Sequence, residues 1–436
     1  MARTMQQSDR ENAIEIAFLF LTIVILMVRV FVPASVLNLL VNYTEEGGFF
    51  LVKFHLAAYA ILAMLLLTLC TRPFVLMGAD INLFRTLLRT AAMLTMVTAI
   101  AVIVSGFGAT GFLIDTYLVA TLAGLLLLTQ RHHSRLIAAE AIIVFGVLSA
   151  VIGIGEMLMQ QRLLPFDEGE PVFRPIGLAG HPLALGAHIV LTIGFVTLCR
   201  WPLWSRIAVT LLLFIGLAAS GARLAMIAGA AEILLLLILS RWHGLSAQHE
   251  KLAKMMATLF VLVLGGGLLA TLFFGGFLDR FNNTLVDDNF MARVRIYEVF
   301  RYVSWQDIFL GMDASDLHAT TKANLDLNFI ESAPVYIILT LGLPIALAFT
   351  VVVVSFFTRL LAGAPVQARI AAAVFVLVDL SNNGLATKNP DIILLTVLLV
   401  ASRSLPAPIS SKPRRSPQPR QPVLSTTSSS PARLSV

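Results

Sequence analysis

Apolar runs of bilayer-crossing length, separated by short connections, follow one another along nearly the whole chain, and nothing else in it restricts the fold so severely. A spanning helix needs about 20 mostly apolar residues, because backbone polar groups in hydrocarbon must be satisfied within the segment itself. Twelve windows qualify or nearly qualify: 13–32, 49–70, 86–105, 112–129, 136–157, 183–199, 204–219, 224–240, 256–275, 333–357, 369–380 and 390–402. The last two are short and fit either half-helices packed inside a bundle or full helices with polar ends. Composition agrees, since 58% of residues are hydrophobic and 13% charged, against roughly 25% charged in an average soluble domain. The expectation is an all-α integral membrane protein, a polytopic bundle of about 12 transmembrane helices. It forms one membrane domain over residues 1–402, followed by a tail over 403–436.

Charge placement sets the expected topology. One set of connections carries Arg72 and Arg85, RHHSR at 131–135, RWPLWSR at 200–206, HEKLAK at 249–254, and Arg359 with Arg369. The opposite set includes NYTEEGG at 42–48 and GFGATG at 106–111, without lysine or arginine. The positive-inside rule therefore selects N-in and C-in. The net charge of +6 is spread over these short loops, so it speaks to topology and not to a nucleic-acid partner. MARTMQQSDRENAIE runs into the first apolar stretch without a small-residue cleavage site, which reads as a retained first helix. The two cysteines, Cys70 and Cys199, sit at the ends of apolar runs and make no disulfide framework. The Pro- and Ser-rich basic tail lacks acidic residues and the apolar surface needed to order itself, so it is expected to be disordered in the cytoplasm.

Two outer segments, 158–182 and 276–332, break the pattern of short links. Structureless loops beyond about 15 residues are uncommon unless functional or disordered. The longer one includes DDNFMARVRIYEVFRYVSW, with Asp287, Asp288 and Asn289 as candidate caps and Phe290, Val294, Tyr297, Phe300 and Val303 near helical spacing. It reads as an outer loop containing an amphipathic helix that lies on the outer face of the bundle.

The outer side also holds Arg174, Arg223, Arg293, Arg295 and Arg301. Arg295 and Arg301 lie in a long loop that escapes the topology rule. Arg223 does not, because SGAR at 220–223 is a tight turn between spans. A charge at that depth needs a partner or a watery cavity, so it is either a ligand-binding group or half of a structural ion pair. Arg293 shares a helical face with Tyr297 and either meets an anion or covers apolar surface with its stem. Arginine suits a diphosphate, since its planar fork donates paired hydrogen bonds and stays charged when partly desolvated. No residue cluster has credible zinc spacing; His132 and His133 read as a solvated loop. No metal or cofactor is expected. Asp287 with Asp288 and Asp313 with Asp316 fit helix caps or solvated loop.

For a base, the outer candidates are His181, His188, His318 and Glu331. His181 precedes Pro182 and either caps the helix or touches an anion at its start. His188 lies deeper and fits a satisfied core histidine. Glu331, where the loop enters the next span, is either a general base or a water-exposed cap.

Four blocks carry a resemblance: RPIGLAGHPLALG at 174–186, ASGARLAMIA at 219–228, ARVRIYEVFRYVSWQDIFLGMD at 292–313 and ESAPVYIILTLGLPIAL at 331–347. Their order, and the single long outer loop late in the chain, resemble the O-antigen ligase and polymerase superfamily, which includes exopolysaccharide polymerases. The likeness covers most of residues 12–402. It implies a bacterial inner-membrane enzyme with its active site on the periplasmic side. Such an enzyme moves glycan from a polyprenyl (undecaprenyl) diphosphate-linked oligosaccharide to a sugar hydroxyl, without metal. Membrane lipids, the growing polysaccharide and other export proteins are the implied partners. The family's arginines fall on Arg174, Arg223 and Arg293, with Tyr297 replacing the aromatic partner; by their own placement His181 joins as a further diphosphate contact and Arg295 as a secondary position. The ligase pattern has a histidine, a small polar residue, nine residues and a glycine; here Ser332 and Gly342 fit, but Glu331 stands in the histidine position. Either Glu331 takes the proton, or His318 does, or positioning alone suffices. This departure points away from a lipid A ligase and toward a polymerase of secreted polysaccharide.

The chemistry needs charge stabilisation at the departing diphosphate, an aligned acceptor hydroxyl and a base. Attack opposite the leaving group inverts the anomeric centre. The main rivals are a flippase or transporter, which internal charges such as Glu15, Arg29, Asp115, Glu140 and Glu156 would also suit, and a non-catalytic scaffold. Transporters commonly show internal duplication, and none is evident.

Overall fold

The computed structural model describes residues 2–44, 49–72, 74–76, 78–106, 110–166, 173–242, 245–274, 288–327 and 330–403. Among the described residues all regular structure is helical. The first half supplies α1 (Ala2–Phe31), α2 (Ala34–Asn38), α3 (Leu56–Thr71), α4 (Ala79–Ser105), α5 (Val119–Leu128) and α6 (His132–Met159). A π-helical turn, Leu113–Leu118, leads into α5. Then come α7 (Pro182–Val196), α8 (Leu203–Ala219), α9 (Arg223–Leu239), α10 (Ala247–Phe274), α11 (Asp288–Arg295), α12 (Trp305–Leu310) and α13 (Ala314–Leu325). The chain closes with α14 (Ala333–Leu341), α15 (Leu343–Leu361), α16 (Val366–Leu380) and α17 (Asp391–Ser402).

Each apolar window carries a helix, but among the described residues only stretches of α1, α4, α6, α10 and α15 are long and apolar enough to cross a membrane on their own, five in all. The others are shorter: at 1.5 Å per residue, the 12 residues of α17 reach about 18 Å, well short of the ~30 Å hydrocarbon core. Every residue of α17 is buried, as is α7 from Leu185 to Val196. These two are the central posts, with α5 and α6 around α17 and α8, α9 and α16 around α7. Apolar side chains on every face suit such positions. At the other extreme, the apolar stretch of α10 buries none of its residues, as expected for a helix surrounded by lipid.

Small residues let the posts approach closely. Ala222 and Ala225 of the α9 start close over Gly186 of α7, and Ala150 of α6 over Gly216 of α8.

The bundle has two unlike ends. At one, basic groups are pinned: Arg131 pairs with Glu15 and Arg135 with Asp80, each at 2.8 Å, and Arg403 donates to the carbonyls of Arg359, Leu360 and Ala362. At the other, the loop end, distant connections are stitched together. Arg29 donates to the carbonyls of Asp115 and Asn389 at 3.0 Å. Tyr43 donates to the Asp115 carboxylate at 2.7 Å, and the His55 backbone N–H donates to it at 3.1 Å. Lys388 donates to the carbonyls of Lys53 (2.9 Å) and Tyr43 (3.2 Å). Burial pushes the Lys388 ammonium below its ordinary pKa.

The described part of the long loop is not one amphipathic helix. After α11 it tightens into a 3-10 segment, Ile296–Arg301, and restarts at α12 behind a capping box between Ser304 and Asp307. Asp313 caps α13 through Ser315 N–H. Because a 3-10 turn eclipses positions three apart, the buried pair is Ile296 and Val299, while Val294 and Tyr297 are 51% and 55% exposed. Asp287 lies outside the described residues. Ile296, Val299, Leu317, Leu325 and Ile330 pack with Val335 and Leu339 of α14 into a small core of their own.

One crossing docks this loop on the bundle. The predicted window 333–357 is broken at Gly342 between α14 and α15, and Gly342 and Gly311 both have positive φ, 78° and 86°. A Cβ on Gly311 would sit 2.7 Å from the Thr340 carbonyl, and one on Gly342 would strike Phe309 O. Met312 N–H donates to Leu339 O at 2.7 Å across the same contact. Glycine is needed twice because two backbones touch here.

Candidate functional site

Arg174 is buried, and its Nε donates to the Ser220 carbonyl at 3.4 Å. The segment carrying it is held from below: the Glu156 carboxylate, 1% exposed, accepts from the backbone N–H groups of Leu163, Ile176 and Gly177 at 2.8 Å each. Arg162 donates to Arg174 O at 3.0 Å and lies over the rings of Phe166 and Phe173. The polar stretch RPIGLAGHPLALG thus forms a tight wall at the head of α7.

Arg223 is the first residue of α9 and half-buried. The turn before it uses Gly221 at φ 63°, and Ser220 Oγ accepts from Ala222 N–H at 3.3 Å. His181 is the N-cap of α7, its Nδ1 accepting from Leu183 N–H at 3.1 Å, with its ring edge-on to Phe166. The starts of α7 and α9 therefore lie side by side, joined through Gly186 and Ala222. Two helix starts bring their positive dipole ends together here, each with an N–H taken by a local side chain. A cation at such a start is unfavourable by itself, so Arg223 and Arg174 beside them make a place that favours an anion.

The second group comes from the loop. Arg293 of α11 donates through Nε to the Glu331 carboxylate at 2.8 Å, both side chains about one-third exposed. Next to it the Ser332 hydroxyl donates to the Tyr297 hydroxyl at 3.4 Å. Ser332 is the N-cap of α14 with Pro334 in its first turn, which is why Glu331 stands just ahead of a helix start.

Both groups belong to the loop end. Gly180 packs on Pro33, next to the segment that carries Tyr43 and His55; α14 packs against the 384–386 turn, and Tyr336 meets the ring of Phe112. His318 is exposed on α13 and Arg295 exposed at the end of α11; among the described residues neither forms a hydrogen bond or ion pair with Glu331 or Ser332, which pair with Arg293 and Tyr297. Among the described residues no three His, Cys, Asp or Glu side chains are grouped to hold a metal.

For several polar groups the structure supplies partners that spacing along the chain does not reveal. Glu156, Arg29 and Asp115, taken from sequence as charges suiting a transporter, are anchors for backbone. Asn382 and Asn389 bond within their own connection, to Gly384 N–H and Gly384 O. His188 is a satisfied core histidine, but its partner, Asp391 at 2.6 Å, is 203 residues away and no spacing could have named it.

No family model matches the chain, and neither a curated protein nor a solved structure does.

Proposed function

We propose that this protein is a membrane glycosyltransferase-type polymerase that moves glycan from a polyprenyl-diphosphate-linked oligosaccharide to an acceptor sugar hydroxyl. The observation that carries the reading is that the four resembling blocks, far apart in sequence, join in two pairs at the loop end, the Arg174 segment with the 220–223 turn and Arg293 with Glu331. Arg174, Arg223 and the α7 and α9 starts would take the diphosphate, with His181 at the rim. Arg293, oriented through Nε by Glu331, would offer its remaining nitrogens to the same anion. As the bond from the anomeric carbon to the diphosphate oxygen breaks, charge gathers on the leaving oxygen, and these donors lower the barrier most at that point. Glu331 would take the proton of the attacking hydroxyl and Ser332 and Tyr297 would hold the acceptor. Attack from the opposite face inverts the centre.

In this reading the protein sits in a bacterial inner membrane, N-in and C-in, with the loop end outside. The pinned basic end supports that orientation. Purified protein given a polyprenyl-diphosphate oligosaccharide is expected to lengthen the glycan and release polyprenyl diphosphate, resolved by mass. Movement of the lipid across liposomes with no new glycosidic bond would instead make it a flippase, and lipid A as the sole acceptor would make it an O-antigen ligase.

A further inference from the structure

Beneath the 381–390 connection lies a polar group that glycan transfer does not use. His188 of α7 and Asp391 of α17 are in hydrogen-bond contact at 2.6 Å, their side chains 5% and 2% exposed. Near Asp391, Asp379 of α16 is fully buried, and among the described residues neither of its carboxylate oxygens has a hydrogen-bond partner. Asp391 is close enough to repel it. The 384–386 turn comes right against it, since a Cβ on Gly384 would lie 2.9 Å from Asp379 Oδ1.

The ionisable groups on the elements packed against α16 can be named one by one. Asp391 comes from α17 and His188 from α7. Tyr117, from the turn leading into α5, lies within electrostatic reach of both carboxylates but donates its hydroxyl to Leu385 O at 2.8 Å. From α9 comes Glu232, deeper in the bundle where Gly194 meets Ala371, and likewise without a hydrogen-bond partner. The 384–386 turn brings no ionisable group. Among the described residues no arginine or lysine compensates Asp379.

Two neighbouring carboxylates cannot both stay ionised cheaply, and an ion in a dry interior without donors is costlier still. Asp391 has His188 to share a proton with; Asp379 has nothing. The donor set does not suit a metal, since these residues are not grouped as ligands. A proton is the one cation that needs no coordination shell.

We propose that Asp379 is a proton-binding site inside the bundle, exchanging its proton with water at the loop end by way of the His188–Asp391 pair. On release the O–H bond of Asp379 breaks, its electron pair stays on the carboxylate, and the proton passes to the imidazole–carboxylate pair and then to water. Loading is the reverse. The site does not depend on the transferase reading.

The test is infrared spectroscopy of the full chain in lipid nanodiscs over a pH series. The expected result is a protonated carboxylic acid band that moves when aspartate alone is isotope-labelled in the unaltered protein, and that fades as pH rises. Asp379→Asn should lose it, Asp379→Glu should restore a displaced band, and Glu232→Gln should leave it in place. His188→Gln should move the midpoint of the titration by about one pH unit or more. A labelled wild-type spectrum with no aspartic acid band, or with one that ignores pH, overturns the proposal without any variant having to fold. An Asp379→Asn spectrum identical to wild type overturns it as well.

Discussion

Arg293 and Glu331 are the pair on which the proposed chemistry turns, and their contact has two readings that kinetics separates. If Glu331 is the base, Glu331→Gln keeps the geometry and removes the proton acceptor, so turnover should fall by about 10²–10⁴-fold with donor binding nearly intact. Arg293→Lys keeps the charge but loses the fork, and should weaken donor binding more than turnover. If the two form only a structural tie, each single variant and the double variant would lose the same modest stability and no chemistry. A fully active Glu331→Gln protein in the extension assay moves the role to His318 or removes it.

The elements at the loop end are held by backbone contacts, and substitutions there should separate fit from composition. Gly342→Ala puts a methyl group into the Phe309 carbonyl at a positive φ, and is expected to cost about 1–3 kcal/mol and to loosen the loop. Gly266→Ala in α10 meets nothing within 4 Å and should be neutral or slightly stabilising, by up to about 1 kcal/mol. Thermal unfolding in the same detergent measures both, and equal losses would refute the crossing as a fastening. Lys388 adds a pH signature. Its folded pKa is depressed by burial, so between the folded and unfolded values the unfolded chain binds more protons and stability rises with pH. Wild type should therefore gain stability relative to Lys388→Met as pH climbs into the alkaline range. A difference that stays flat would mean the ammonium is solvated.

For the molecule as a whole, the loop end must face away from the cytoplasm if a lipid-linked donor is used there. A cytoplasm-active reporter fused after residue 403 should be active, and one that needs export should work when inserted between 274 and 288. The reverse pattern would invert the orientation and place the arginines on the wrong side of the membrane.

Hydrophobic length and charge placement are local properties, so the chain by itself indicated an all-helical protein and the charge contrast between the two ends, but not the break of 333–357 at Gly342 or the 3-10 turn after α11. It also singled out Arg174, Arg223, Arg293 and Glu331, because charges are conspicuous among hydrocarbon. It could not fully separate central posts from lipid-facing helices: α7 and α10 read alike, since burial by protein and burial by lipid demand the same side chains, and α17 stood out only by its shortness, which fitted a half-helix inside the bundle or a full helix with polar ends. Partners depended on the fold alone. Nothing in the order of residues says that Glu156 holds the Arg174 segment, that Arg293 meets Glu331, or that His188 finds Asp391 while Asp379 finds no donor. Those outcomes come from which helices lie side by side, and only the packed bundle decides that.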